Sequence, residues 1–306
     1  MMRSTLGGKP SAALLTARPP AAVELSPHGV LAAALPGKGE AAVVAFEPLA
    51  PGSLTPSTSG QNIAIPDAVA AAIRRTLDQA APRKRDVTLI VPDKAVRVFV
   101  LDFDALPARP AEVIPILRFR LRKMLPFDVE HAGVSYQVLS NEKTETRVLA
   151  AVVPGPVLAE YESAVRAAGY EPGAILPCSL AGLAALDSDE PLLAAFLEAG
   201  SLTTAIAHGQ DVLLYRTLEL PESAEAQLPE IQRDIAVAVA YFEDRLGAHP
   251  RRLHYAGSLP AMEFGRAIRD SGLEVVDLTQ REKASTLTAL GTASLAAVTG
   301  ALAGVS

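Results

Sequence analysis

The sequence predicts an α/β protein with mixed sheets. Three observations point there. Short apolar strand patterns alternate with helical ones along the chain. Hairpin signals are mixed in among them, so that some neighbouring strands run antiparallel while others need a helical crossover. The chain also has 306 residues, 49% of them hydrophobic and 20% charged, enough for a large core and, by length, about two domains.

The elements follow in order. Residues 1–20 read as a flexible tail. Val23–Leu25 and Val30–Leu35 are short strands around the turn Ser26-Pro27-His28-Gly29. Residues 47–60, rich in Pro, Ser, Gly and Thr, read as an exposed loop. Val69, Ile73 and Leu77, four apart, predict a helix over 67–80, and Thr88–Val91 a buried-type strand. Val96–Phe103 reads as a strand covered on both faces. A helix follows over 111–125; Pro110 suits its first turn, whereas Pro115 predicts that the regular helix starts only there. Val134–Leu139 and Thr146–Val153 are strands around a polar turn, Asn141–Glu145. Pro156–Ala168 is a helix with Gly169 as its cap.

The second half starts near residue 189. Thr203–Ala207 and Val212–Leu218 flank the hairpin signal His208-Gly209-Gln210-Asp211. Leu228, Ile231, Ile235, Val239, Phe242 and Leu246 make 226–246 the clearest helix. Arg252–Ala256 is a strand, Pro260–Ser271 a helix and Val275–Leu278 a last strand. Residues 285–306 carry no charged side chain, but Ala, Gly, Ser and Thr dominate them, which predicts a buried terminal helix rather than a membrane span. No short internal repeat is evident.

Composition excludes several classes. A net charge of −6 offers no overall field for nucleic acid. The single cysteine, Cys178, allows no intramolecular disulfide and reads as a small core residue. None of the five histidines pairs at metal-ligand spacing, no nucleophile elbow surrounds Ser179, Ser201 or Ser258, and no GxxxxGK[ST] phosphate loop occurs. Asp102-Phe103-Asp104, a carboxylate pair at a strand end, reads as a solvated turn, or as a metal or base position.

Residues 117–139, LRFRLRKMLPFDVEHAGVSYQVL, carry the most specific pattern. Leu117, Leu121 and Met124 line one helix face, and Arg118, Arg120, Arg122 and Lys123 spread over the rest. Pro126 stops the helix and Phe127 can fold back on its end. The basic face is either a solvated surface or a docking face for an acidic peptide or a phospholipid headgroup. The order strand, helix, Leu125-Pro126-Phe127, strand, strand, helix, then Gly169-Tyr170-Glu171-Pro172 resembles the PilM family of type IV pilus assembly, within the actin-like ATPase superfamily that includes FtsA- and GspL-like proteins. The resemblance runs over about 21–300 and rests on order and spacing.

That resemblance implies an actin-like (ribonuclease H-like) fold. Residues 21–188 would form the first lobe, with an inserted subdomain at about 93–143, and 189–306 the second lobe, whose capping subdomain is reduced between Leu220 and Pro229. It implies an ATP site with Mg²⁺ between two hairpins and an adenosine turn. Glu24, Ser26 and Gly29 match the first hairpin, where Leu25 replaces a glycine and Pro27 removes an amide donor. Glu198, Gly200, Ser201 and Thr203 match the second hairpin, and Gly257 and Ser258 the adenosine turn. All three elements are present in weakened form. The resemblance also implies a partner, the N-terminal peptide of a PilN-type inner-membrane protein, with other pilus platform components, at the cytoplasmic face of the inner membrane. Arg118, Arg122, Leu125 and Phe127 are the candidates for shaping its docking region. A scaffold is the expectation; an active ATPase or small-molecule kinase, and a membrane-anchored structural subunit resting on 285–306, are the alternatives.

Overall fold

The computed structural model describes residues 18–37, 41–141, 145–186, 188–209, 211–278 and 295–303. Most of the tail read over 1–20, the middle of the turn at 141–145, Gln210 and much of 279–306 lie outside them.

The chain opens with a hairpin, β1 (Ala21–Ser26) and β2 (Gly29–Ala34), as its turn signal predicts. A third strand, β3 (Val43–Pro48), pairs antiparallel with β2 along its whole length. Helix α1 (Pro66–Ala80) buries Val69, Ile73 and Leu77, the apolar row that predicted it. β4 (Asp86–Val91) then runs parallel to β1 and ends in a single 3₁₀ turn, Asp93–Ala95.

The inserted layer comes next: β5 (Arg97–Phe103), α2 (Pro110–Leu121), β6 (Gly133–Asn141) and β7 (Thr146–Val153). Its sheet has the order β5-β7-β6, so β7 is the central strand and the layer reaches Val153 rather than ending near 143. Helix α2 begins at Pro110 and continues through Pro115, contrary to the expected late start. Ala111 and Pro115 are both exposed. The carbonyl that Pro115 leaves without an amide therefore faces solvent, and the helix tolerates it. Asp102 pairs with Arg147 at 2.9 Å across this sheet, a structural ion pair rather than a metal or base position.

Helix α3 (Gly155–Ala167) returns to the first lobe, ends before Gly169 at φ +87°, and leads into β8 (Glu171–Pro177), parallel to β4. The short α4 (Cys178–Leu183) leads to the second lobe. That lobe holds β9 (Leu192–Glu198), β10 (Ser201–His208), β11 (Asp211–Glu219), α5 (Ala224–Leu246), β12 (Arg252–Gly257), α6 (Ala261–Ala267) and β13 (Glu274–Asp277). Ile231, Ile235 and Phe242 of α5 are buried as predicted, but Leu228 is exposed.

The two main sheets share one plan. Their orders are β3-β2-β1-β4-β8 and β11-β10-β9-β12-β13. In each, the first three strands are antiparallel and the last two run parallel to the first. The duplication is one of topology, which a search for sequence repeats does not detect. The last helix, α7 (Ala296–Ala303), crosses back: Ala297, Val298, Ala301 and Leu302 pack on Ala22, Leu31, Ala33 and Ile90 of the first lobe. Helix α7, in the stretch expected to close the second lobe, thus packs on the first sheet as well, while its Ala296 joins the second lobe's core. Gly300 makes the crossing possible, because a Cβ there would collide with the Ala181 carbonyl on α4. No helix of the described residues is long and apolar enough to cross a membrane.

Candidate functional site

Between the lobes lies a cavity of about 60 Å³, lined by Glu24, Ser26, Pro27 and His28 of the first hairpin and by Glu198 and Ala199 of the second. Cys178, Phe196, Gly257, Ser258 and the Ala296-Ala297 start of α7 complete its walls. Five of the nine nucleotide-site residues read from the sequence, Glu24, Ser26, Glu198, Gly257 and Ser258, thus meet at one place, whereas Gly29, Gly200, Ser201 and Thr203 do not line it.

The first hairpin is committed to its own closure. The Ser26 hydroxyl donates to the Gly29 carbonyl at 3.1 Å and accepts from the Gly29 amide at 3.2 Å. With Pro27 lacking an amide, little is left in this turn to hold a phosphate oxygen. Gly29 is required on its far side, where a Cβ would strike the Phe46 ring at 2.6 Å. Gly200 sits at φ +81°, a turn conformation that favours glycine, beneath the Lys94 ammonium. Gly257 allows β12 to approach β9, since a Cβ would lie 2.7 Å from the Leu197 side chain, and the Ser258 amide donates to the Leu197 carbonyl at 2.9 Å.

Behind the cavity wall stands a residue that sequence reasoning missed. Asp93, only 2% exposed, stands just past the carboxyl end of β4. Its carboxylate accepts from the Ser179 amide at 3.1 Å and from the Thr203 hydroxyl of the second lobe at 2.7 Å. Its own amide donates to Glu198 Oε2 at 3.1 Å. The Cys178 thiol donates to Glu24 Oε1 at 3.7 Å, and Glu24 Oε2 has no hydrogen-bond partner among the described residues. Cys178 therefore lines the cavity rather than only filling core.

The carboxyls of this buried cluster are all raised above their ordinary values. Burial pushes the Glu24 carboxyl up to about 7; the Cys178 hydrogen bond opposes this and the nearby Asp93 charge adds to it. Burial also raises Asp93, against the hydrogen bonds from Ser179 and Thr203. Burial and the Asp93 charge raise Glu198 well above the usual carboxylate range.

These residues do not fit a magnesium nucleotide in this arrangement. Small-molecule pockets run to roughly 300–1,000 Å³, several times the present cavity. Ser26 is engaged within its own turn, Phe196 and α7 occupy the walls, and a phosphate would face Glu24 and Glu198. Among the described residues no group of three or more His, Cys, Asp or Glu is arranged to hold a metal ion.

The other predicted surface lies on the inserted layer. Leu117 and Leu121 are fully buried, but Met124 is 46% exposed and does not join their face. Arg118 donates to the Val129 carbonyl, to Glu130 O at 3.0 Å and to Ala132 O at 2.9 Å, so it clamps the turn after Pro126. Arg122 pairs with Glu130, and both are at least half exposed. Leu125 and Phe127 pack, partly buried, on the layer's core beside Val129.

Two duplicated lobes of this topology, closing on a cleft between two hairpins, define the actin-like ATPase fold. Within that class the chain is similar to the solved PilM–PilN type IV pilus biogenesis complex: 20% identity, 94% of this chain and 98% of that chain covered, TM-score 0.75. The cytoplasmic domain of EpsL, an inner-membrane component of the Vibrio cholerae type II secretion system, matches at 15% identity over 78% of this chain and 82% of that one, TM-score 0.49. A Bacteroides thetaiotaomicron protein with an actin-like ATPase fold matches at 13% identity over 84% and 89%, also with TM-score 0.49. No family model and no curated protein matches the sequence.

Proposed function

We infer that this chain is a scaffold of an inner-membrane assembly platform of the type IV pilus or a related secretion machine, and that it docks the N-terminal peptide of a PilN-type membrane protein. The observation that carries the reading is the near full-length likeness to the PilM–PilN complex at TM-score 0.75. A cleft of about 60 Å³, walled by Phe196 and α7, supports docking over ATP turnover as the working activity. Leu125 and Phe127 shape the peptide region from beneath. Arg118 holds the neighbouring turn in place. Arg122 is the adaptable member: an exposed ion pair such as Arg122–Glu130 is worth about 0–1 kcal/mol, so an acidic peptide group can take Glu130's place.

The test is a pull-down with the PilN-type N-terminal peptide. The wild-type chain is expected to retain the peptide and Arg122→Glu to lose much of it, with circular dichroism unchanged. Equal retention by Arg122→Glu removes that residue from the interface. No retention by the wild type removes the peptide-docking reading altogether. Calorimetric titration with Mg-ATP addresses the ATPase or kinase alternative; micromolar affinity would overturn the preference for a scaffold.

A further inference from the structure

The end of α2 carries a feature that peptide docking leaves unused. Phe119 is 68% exposed and Met124 is 46% exposed, an aromatic and a long flexible apolar side chain five residues apart. Lys123 places its ammonium 6.0 Å from the centre of the Phe119 ring. Residues 109–131 contain five Arg or Lys and three Asp or Glu, in a chain whose net charge is −6. The acids are matched locally: Glu112 with Arg109, Glu130 with Arg122, and Asp128 with His131. Arg118 is held by the carbonyls after Pro126. Among the described residues Arg120 and Lys123 therefore remain without a carboxylate beside Phe119.

We propose that this corner of the inserted layer is a contact site for an anionic membrane surface: Phe119 and Met124 enter the headgroup–acyl boundary while Arg120 and Lys123 engage lipid phosphates. Charge complementarity favours this occupant, because the surplus cations sit beside an exposed apolar pair on a chain of net charge −6. Shape favours it too. A ring two-thirds exposed has no protein wall around it, and a peptide would have to supply its own pocket there. A bilayer interface needs none; it accepts an aromatic ring and a Met with flanking cations at the phosphate level. The site does not depend on peptide docking.

The chain has no tryptophan, so Phe119→Trp places a single reporter at the contact. With phosphatidylcholine vesicles containing phosphatidylglycerol, its emission is expected to shift to the blue, with no shift on phosphatidylcholine alone. In co-sedimentation the wild-type chain is expected to bind the anionic vesicles, and Arg120→Glu/Lys123→Glu to lose roughly tenfold or more in partitioning. Phe119→Ser is expected to weaken binding while leaving peptide retention intact. Unmoved Trp emission, or equal vesicle binding by wild type and both variants, overturns the proposal. So does sedimentation velocity showing a dimer that Phe119→Ser dissolves, which would assign the patch to a second copy of the chain.

Discussion

Glu24 is buried with one oxygen on the Cys178 thiol and the other without a partner among the described residues; burial, with the Asp93 charge and against the Cys178 hydrogen bond, raises its carboxyl from 4.5 to about 7. A raised carboxylate means the native state binds more protons than the unfolded chain between those values, so stability is full at low pH and falls as pH rises through 7. Glu24→Gln, which cannot ionise, is expected to match wild type near pH 4 and to be the more stable near pH 8. The gap should grow by up to about 1.4 kcal/mol per pH unit across the window. Thermal melts at the two pH values check this; a difference that does not change with pH contradicts it. Glu24 and Glu198 were legible through the family resemblance, which places an acidic residue at each hairpin. Asp93 was not, because Val-Pro-Asp-Lys reads as an ordinary turn. Only the parallel pairing of β4 with β1 and β8 puts it at the carboxyl ends of the strands, where ligand crevices form in open α/β sheets.

Elements show the same division. The β1–β2 and β10–β11 hairpins, α1 and α5 were readable from turn residues and apolar period. β8 was not: Glu171-Pro172-Gly173 and Pro177 read as loop, and proline is tolerated there because β8 is a sheet edge. β3 was hidden by the turn-rich stretch after it. The basic helix α2 was recognised, but its charges could not be apportioned without coordinates. Arg118 proved to be a clamp on carbonyls, Arg122 an exposed pair, and Arg120 and Lys123 surplus. Arg118→Met is expected to release the turn at 126–132 and to cost about 1–3 kcal/mol. Hydrogen exchange should quicken there while β4 and β9 stay protected; unchanged exchange at 126–132 would show that the clamp is not what holds the turn.

At the scale of the molecule, two lobes of one topology are tied by a small number of polar contacts across the cleft. Thr203 donates to Asp93 at 2.7 Å, Asp93 donates to Glu198 at 3.1 Å, the Ser179 hydroxyl meets Tyr215, and Arg97 pairs with Glu219 at 2.5 Å. The return of α7 to the first lobe adds an apolar strap. Thr203→Val removes one tie and leaves Asp93 short of a donor, at a cost of about 1–3 kcal/mol. Small-angle scattering of this variant is expected to show a more open particle, and a profile identical to wild type would place the closure elsewhere. A small, acid-lined cleft beside the three-stranded layer is the arrangement on which the proposed docking role rests. The most direct test is calorimetric titration of the nucleotide-free chain with the PilN-type N-terminal peptide. The account predicts saturable binding that added Mg-ATP does not alter. Absence of binding, or binding that appears only when Mg-ATP is present, would contradict it.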